Sequence, residues 1–333
     1  MGELAAGRYG VISGTSADLA AIGAQIEAVV RKAGLDAAVA TSSLALDAEG
    51  LTPMQATRAL RYALSTFARG GSAAMQQAGF ADGLSGFVAI ACSRALALRQ
   101  AIAERRFGMA FQPIVSLGDG AIHHVEALLR PQPGPDGELD QPGDFVTFAE
   151  TVGLSEELDW AVLEAVCGAA RRSRGIRIAA NLSGLSLQSP GFRARLLELL
   201  DAEPLLASRL LIEITETAEI EEEAEAVRMV EALRRRGLPL CIDDFGAGAA
   251  AFRYLRAFRV DYVKIDGTYV RNAMRSEQDR GIVAAMVDLA RNVGARVVAE
   301  QIETGAEAAA MRDLGVDYAQ GWHFGRPGPL PGG

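Results

Sequence analysis

The chain is predicted to be α/β: a TIM-like (β/α)₈ barrel with one antiparallel strand, plus a small N-terminal α/β fragment. Three observations carry this. Eight apolar, strand-like runs follow one another at 109–117, 124–129, 176–182, 210–215, 239–242, 262–265, 296–299 and 318–322. From the second run onward they alternate with helical stretches, over about 225 residues, the length such a barrel needs. Nearly every run ends in a polar or charged residue, at the strand ends where barrels place their active sites.

The elements are read in chain order. Residues 22–33 are apolar at helical spacing and stop at Gly34. An alternating run at 38–46 reads as a strand. Thr52 then caps a helix, Pro53 suits its first turn, and Gly70 and Gly71 end it. A loop rich in Gly, Ser and Ala spans 70–84, and a linker helix runs from about 87 to 107. The domain reading is therefore a fragment at 1–84, a linker helix at 85–104 and the barrel at 105–330.

In the barrel, Gly118-Asp119-Gly120 is a hairpin turn between the first two strands, so one strand runs antiparallel. The clearest helix is 155–174. Glu156, Glu157 and Asp159 sit in its first turn, Arg171, Arg172 and Arg174 in its last, and Gly175 follows, as the helix dipole favours. Residues 219–236, followed by Gly237, repeat this layout.

Composition narrows the function. With 333 residues, half of them hydrophobic, the chain can bury a core. A net charge of −9 argues against a protein that coats a nucleic acid polymer. Three scattered cysteines, Cys92, Cys167 and Cys241, suit neither a disulfide scaffold nor a zinc knuckle. The most apolar stretch, 87–102, is broken by Ser93, Arg94, Arg99 and Gln100, so no membrane segment is expected. A cytoplasmic protein, or a soluble piece of a longer one, is the expectation.

The polar strand ends are Glu126, Asn181, Glu213, Asp243 with Asp244, Lys264 with Asp266, Glu300 with Glu303, and Gln320. From Asn181 to Gln320 the steps are 32, 30, 21, 36 and 20 residues, each about one β/α unit. Several converging carboxylates with only Lys264 and Arg130 nearby cannot all ionise unaided. Divalent metal resolves this. Glu126, Asn181, Glu213, Asp243 and Asp244 form an all-oxygen set that suits Mg²⁺ or Mn²⁺ rather than Zn²⁺. The adjacent Asp243 and Asp244 suit two ions, the arrangement that clamps both oxygens in phosphoryl displacement. Lys264 is one of two lysines beside 31 arginines, a compact charge fit to hold a water or phosphate oxygen. Singly, each has an ordinary reading: a solvated strand end for Glu213, a helix cap for Asp243-Asp244 or Asn181, a structural ion pair for Lys264. His123 and His124, beside the hairpin turn, read as surface residues, and Cys167 and Cys241 as core. The agreement of seven strand ends is what favours a joint site.

Residues 105–330 resemble the EAL family of cyclic di-GMP phosphodiesterases. The matching motifs are Phe111-Gln112-Pro113-Ile114-Val115, Glu126-Ala127-Leu128-Leu129-Arg130, Asn181-Leu182-Ser183, Glu213-Ile214-Thr215-Glu216, Asp243-Asp244-Phe245-Gly246, Lys264-Ile265-Asp266, Ala299-Glu300 with Glu303, and Gln320-Gly321. The resemblance implies hydrolysis of one phosphodiester of cyclic di-GMP to linear pGpG with Mg²⁺ or Mn²⁺, in a homodimer formed through the barrel. It makes Glu126, Asn181, Glu213, Asp243 and Asp244 metal ligands, Glu300 the general base and Lys264 the cation that orients water and phosphate. Gln112, Glu126, Leu128 and Arg130 become substrate contacts, Glu216 the support of the loop after Asp244, and Asp266, Glu303 and Gln320 supporting contacts. The family's hydroxyl-rich segment after Asp-Phe-Gly is replaced here by Ala247-Gly248-Ala249-Ala250-Ala251-Phe252, which motivates a second reading, a domain that binds cyclic di-GMP without cutting it. Gln301 stands where Gly usually follows the base, and Pro131 where Trp is common. The front part resembles the C-terminal half of a GGDEF domain without its signature loop, which implies a regulatory remnant. On barrel geometry alone, an enolase-like enzyme with Lys264 as base is a third reading, against which the motif order stands.

Overall fold

The computed structural model describes residues 2–5, 8–10, 18–32, 39, 41, 43–44, 53–80, 83–132, 141–173, 175–215, 220–246 and 251–331. The chain divides into two compact units, Met1–Glu104 with Pro133–Leu154, and Arg105–Gln132 with Ser155–Gly333.

In the first unit β1 (Gly2–Ala5) pairs antiparallel with β2 (Arg8–Gly10), and the helices are α1 (Leu19–Lys32), α2 (Pro53–Gln77), α3 (Gly83–Ala103) and α4 (Pro142–Val152). The helix read as a linker groups with this unit, and so does 133–154, which the sequence reading left inside the barrel. Gly71, at φ 66°, breaks α2 where the sequence places its end, but helical turns resume to Gln77. The Ala-rich run beyond Gly71 still favours helix, and Met75 is buried there. Of the strand expected at 38–46, the described residues Val39, Thr41, Ser43 and Leu44 carry no strand; the rest, like Thr52, lies outside the described residues.

This unit's core is a ring stack. Phe80 and Phe87 lie 4.3 Å apart and nearly parallel, Tyr62 stacks on Phe87 at 5.4 Å, and Phe148 of α4 meets Tyr62 edge-on at 5.9 Å. Each such pair contributes about 0.5–1.5 kcal/mol beyond area burial.

The second unit is a closed barrel. Its strands are β3 (Phe107–Ser116), β4 (Ile122–Pro131), β5 (Arg177–Asn181), β6 (Leu210–Thr215), β7 (Leu240–Phe245), β8 (Tyr262–Ile265), β9 (Arg296–Ala299) and β10 (Tyr318–Gln320), in the order β10-β3-β4-β5-β6-β7-β8-β9. These are the eight runs seen in the sequence. β3 is the antiparallel strand, against both β4 and β10. Arg105, left-handed at φ 55°, turns the chain between α3 and β3, so the helix expected to reach 107 stops at Ala103.

Helices α5 (Ser155–Arg172), α6 (Gly184–Gln188), α7 (Pro190–Ala202), α8 (Pro204–Arg209), α9 (Glu223–Arg235), α10 (Ala251–Ala257), α11 (Gly267–Ala273), α12 (Glu277–Asn292) and α13 (Gly305–Asp313) join the strands. Their starts follow capping chemistry. Ser189, Asp266, Ser276 and Thr304 accept backbone N–H groups, and Thr304 forms a capping box with Glu307. No described helix is long and apolar enough to cross a membrane.

The barrel interior is layered by the two-residue period of its strands. Ile114, Ala179, Leu211, Cys241, Tyr262, Val298 and Tyr318 form one buried cluster. Two residues further along each parallel strand stand Asn181, Glu213, Asp243, Lys264, Glu300 and Gln320. On antiparallel β3 the step runs backward, from Ile114 to Gln112, which pairs with Glu126 of β4. The apolar layer thus forms the floor of a polar one. His124, two residues before Glu126, is 1% exposed, which corrects the surface reading. Its ring packs against His123 and Tyr262, and burial drives its pKa down to about 3.

Removing the central ring of the first unit, Phe87→Ala, is expected to lower the unfolding free energy by about 3–5 kcal/mol. Urea unfolding monitored by circular dichroism measures it, and a loss below about 1 kcal/mol would show that the ring stack is not that unit's core.

Candidate active site

Seven strands deliver one side chain each to a single cluster, and β4 delivers the eighth. Its centre is Lys264, 1% exposed. The Lys264 ammonium lies 2.8 Å from Glu300, 3.0 Å from Asp243, 3.2 Å from Glu126 and 3.3 Å from Glu213. Glu126 also accepts from Asn181 at 3.0 Å and from Gln320 at 2.7 Å. Gln320 reaches Gln112 at 3.1 Å, and Gln112 donates to the Gly325 carbonyl at 3.1 Å.

The electrostatics follow from burial. For Lys264 desolvation disfavours the charge, but Asp243, Glu126, Glu213 and Glu300 outweigh it and hold the ammonium well above its ordinary range. Glu126 is buried too, yet Lys264 and the amides of Gln320 and Asn181 pull its carboxyl below the ordinary value. Glu213 accepts from Lys264 but has no side-chain amide donor. Burial pushes it well above the usual range, and its Oε1 has no hydrogen-bond partner. Asp243 is raised by burial, Asp244 is pushed up to about 6 by burial and by Asp243, and Glu300 is pushed up to about 8, chiefly by burial.

Five carboxyls therefore face one ammonium. If all ionised they would leave an uncompensated negative charge in a dry pocket, which is very costly. The donor set fits a hard divalent cation. Oxygens of Glu126, Glu213 and Asp243 lie within 4.8 Å of one another, and so do those of Asp243, Asp244 and Glu300. Asp243 belongs to both groups. Asn181 spends its amide N–H on Glu126, which leaves its carbonyl oxygen as a further hard donor.

Other expected site residues are placed differently. Leu128, half-buried, shares the inward face of β4 with Glu126. Arg130 donates to the Leu129 carbonyl at 2.8 Å. Asp266 caps α11 through the Thr268 N–H at 2.8 Å. Glu303 is exposed, with its backbone N–H on Glu307. Glu216 and 247–250 lie outside the described residues.

Three supports were not read from the sequence. Asp159 of α5 accepts the Ser183 N–H at 2.9 Å and so anchors the turn after Asn181; its signal was a lone carboxylate between Leu158 and Trp160. Tyr269 donates to the Gly246 carbonyl at 2.7 Å. Gly246, at φ 99°, leaves no room for a side chain, since a Cβ would sit 2.4 Å from Met286 and 2.7 Å from Tyr269.

Comparison with known proteins adds three findings. Residues 95–327 match the EAL domain family. The chain is 35% identical over 241 residues to "Cyclic di-GMP phosphodiesterase PdeB" of Shewanella oneidensis, covering 71% of this chain and 28% of that protein. It is 32% identical over 238 residues to "Cyclic di-GMP phosphodiesterase NbdA" of Pseudomonas aeruginosa, covering 70% of this chain and 30% of that protein. The chain thus spans about three-tenths of the length of these relatives. Among solved structures, the PaMucR phosphodiesterase in its c-di-GMP complex superposes with a TM-score of 0.62 at 32% identity, covering 70% of this chain and 96% of that one.

Two outcomes are expected of the cluster. Cation binding must expel protons from the raised carboxyls, so Mn²⁺ affinity should rise from pH 6 to pH 8 with net proton release. Calorimetry in two buffers of different ionisation heat reads both, and a pH-independent affinity without proton release contradicts the assignment. Lys264→Met removes the counter-charge and should cost about 3–5 kcal/mol of metal-free stability, measured by thermal or urea unfolding. Mn²⁺ should restore more stability to the variant than to the parent.

Proposed function

This chain belongs to the EAL domain family, and from that premise we propose that its barrel hydrolyses one phosphodiester bond of cyclic di-GMP to linear pGpG. The observation that carries the reading is the convergence of Glu126, Glu213, Asp243 and Glu300 on Lys264 at the C-terminal ends of the barrel strands. Glu126, Asn181, Glu213, Asp243 and Asp244 would hold the divalent cations, Mg²⁺ or Mn²⁺, two in number. When bound, such ions lower the pKa of water and neutralise charge on the phosphate.

The protein groups do the rest. Glu300, held 2.8 Å from Lys264, takes the proton of the attacking water once its own raised carboxyl is ionised, as cation binding beside it would bring about. The water oxygen bonds to phosphorus, the bond to the ribose 3′ oxygen breaks, and that oxygen takes up a proton from solvent as it leaves. Lys264 orients the water and a phosphate oxygen as a fixed positive charge. Arg130 suits two phosphate oxygens through its planar fork, and Gln112 and Leu128 would add substrate contacts. Gln320 keeps Glu126 ionised and aimed, and Asp266 and Glu303 support the neighbouring loops. The family reading extends to a homodimer through the barrel, with the front part as a regulatory remnant.

The second reading, a domain that holds cyclic di-GMP without cutting it, rests on the alanine-rich sequence at 247–251, which lacks hydroxyls. One experiment separates the two. Purified protein with Mn²⁺ should convert cyclic di-GMP to pGpG, and Glu126→Ala or Glu300→Ala should reduce turnover by about 10²-fold or more. Micromolar binding, indifferent to metal and without product, would overturn hydrolysis in favour of the binder.

A further inference from the structure

We infer that Gln301, clipped by Arg271 and laid across Gly267, is a positioning residue that holds Glu300 against Lys264. The inference rests on the reading of Glu300 as base. Gln301 is in the left-handed region at φ 55°, which side chains other than Gly disfavour. Such a conformation persists where surrounding contacts hold it, and here they are specific. Arg271 donates from Nη1 to the Gln301 side-chain oxygen at 2.6 Å and from Nη2 to the Thr268 hydroxyl at 3.0 Å. The side chain lies over Gly267 so closely that a Cβ there would meet Gln301 Cβ and Cδ at 2.6 Å. Gly267 follows the Asp266 cap of α11, so the clip ties the turn after β9 to the turn after β8.

The neighbours of Gln301 are held through backbone. The Glu300 N–H donates to the Ile265 carbonyl at 3.1 Å, and the Ile302 N–H to the Gln320 carbonyl at 3.0 Å. Gln301 sits between these anchors and is secured by its side chain. The segment leaves the Glu300 carboxylate 2.8 Å from Lys264. A Gly at 301 would adopt this φ without strain but could not be gripped. A glutamine trades backbone ease for a hydrogen-bonded clamp one residue from the proton acceptor.

The test uses the full chain and four variants: Gln301→Ala, Arg271→Ala, their double, and Gln301→Glu, which keeps the length and the bond to Arg271. The first readout is hydrogen–deuterium exchange of amides 299–304 in metal-free protein, with circular dichroism to verify folding. Exchange should quicken about tenfold in either alanine variant, no further in the double, and return to the parent rate in Gln301→Glu. The second is turnover of cyclic di-GMP with Mn²⁺. In the alanine variants kcat should fall about tenfold, with KM and Mn²⁺ affinity within about twofold of the parent. Unchanged exchange in Gln301→Ala, or effects that multiply in the double, overturns the clip. Quickened exchange with unchanged kcat overturns its bearing on catalysis. If the parent makes no pGpG, the hydrolytic reading fails by itself, and exchange still decides whether the clip orders this turn.

Discussion

The second unit is organised around one buried ammonium among four buried carboxylates. Within 2.8–3.3 Å of each, the Lys264 charge offsets much of the desolvation cost of one acidic partner, but not of four. The site is therefore electrostatically incomplete by construction. Amide donors complete Glu126, whereas Glu213 keeps an oxygen with no partner, and burial raises the carboxyls of Glu300 and Asp244 above their ordinary range. Such a cluster is poised to exchange protons for a divalent cation.

What holds the charges together is the closed sheet beneath them. Glu213, Asp243 and Glu300 sit two residues beyond Leu211, Cys241 and Val298 of the layer below, so the same pleat that aims Asp243 upward buries Cys241. That floor keeps water from the lower side and strengthens every field inside the cluster. A barrel also has no edge to fray, so strands far apart in sequence hold their side chains in fixed relation. Backbone strain sits at the rim, at Asp244 with φ 56° and Gln301 with φ 55°, each beside a carboxyl group of the cluster. Strain of this kind gathers where a site demands a conformation the local sequence resists.

Much of this was legible in the chain. The eight strands, the antiparallel one and the polar strand ends could be read from the apolar runs, the Gly118-Asp119-Gly120 turn and the spacing from Asn181 to Gln320. Other features were not legible for physical reasons. Helix α4 and the grouping of 133–154 with the first unit depend on Phe148 meeting Tyr62, a contact between residues 86 positions apart. His124 looked exposed because it borders a turn, yet β4 runs inward at that point and buries it. Asp159 and Arg271 act through a backbone N–H and a side-chain amide of other elements, and no local pattern signals such a partner.

The barrel, the strand that runs backward and the residue types at the strand ends are written in the chain itself. Those follow from local periodicity, turn chemistry and the cost of placing polar groups in apolar runs. That Lys264 is shared by four carboxylates, that Glu126 and Glu213 are driven to opposite protonation preferences, and that Gln301 is gripped by Arg271 emerge once the chain is folded. Charge coupling depends on distances of about 3 Å between distant strands, and the closure of the sheet sets those distances.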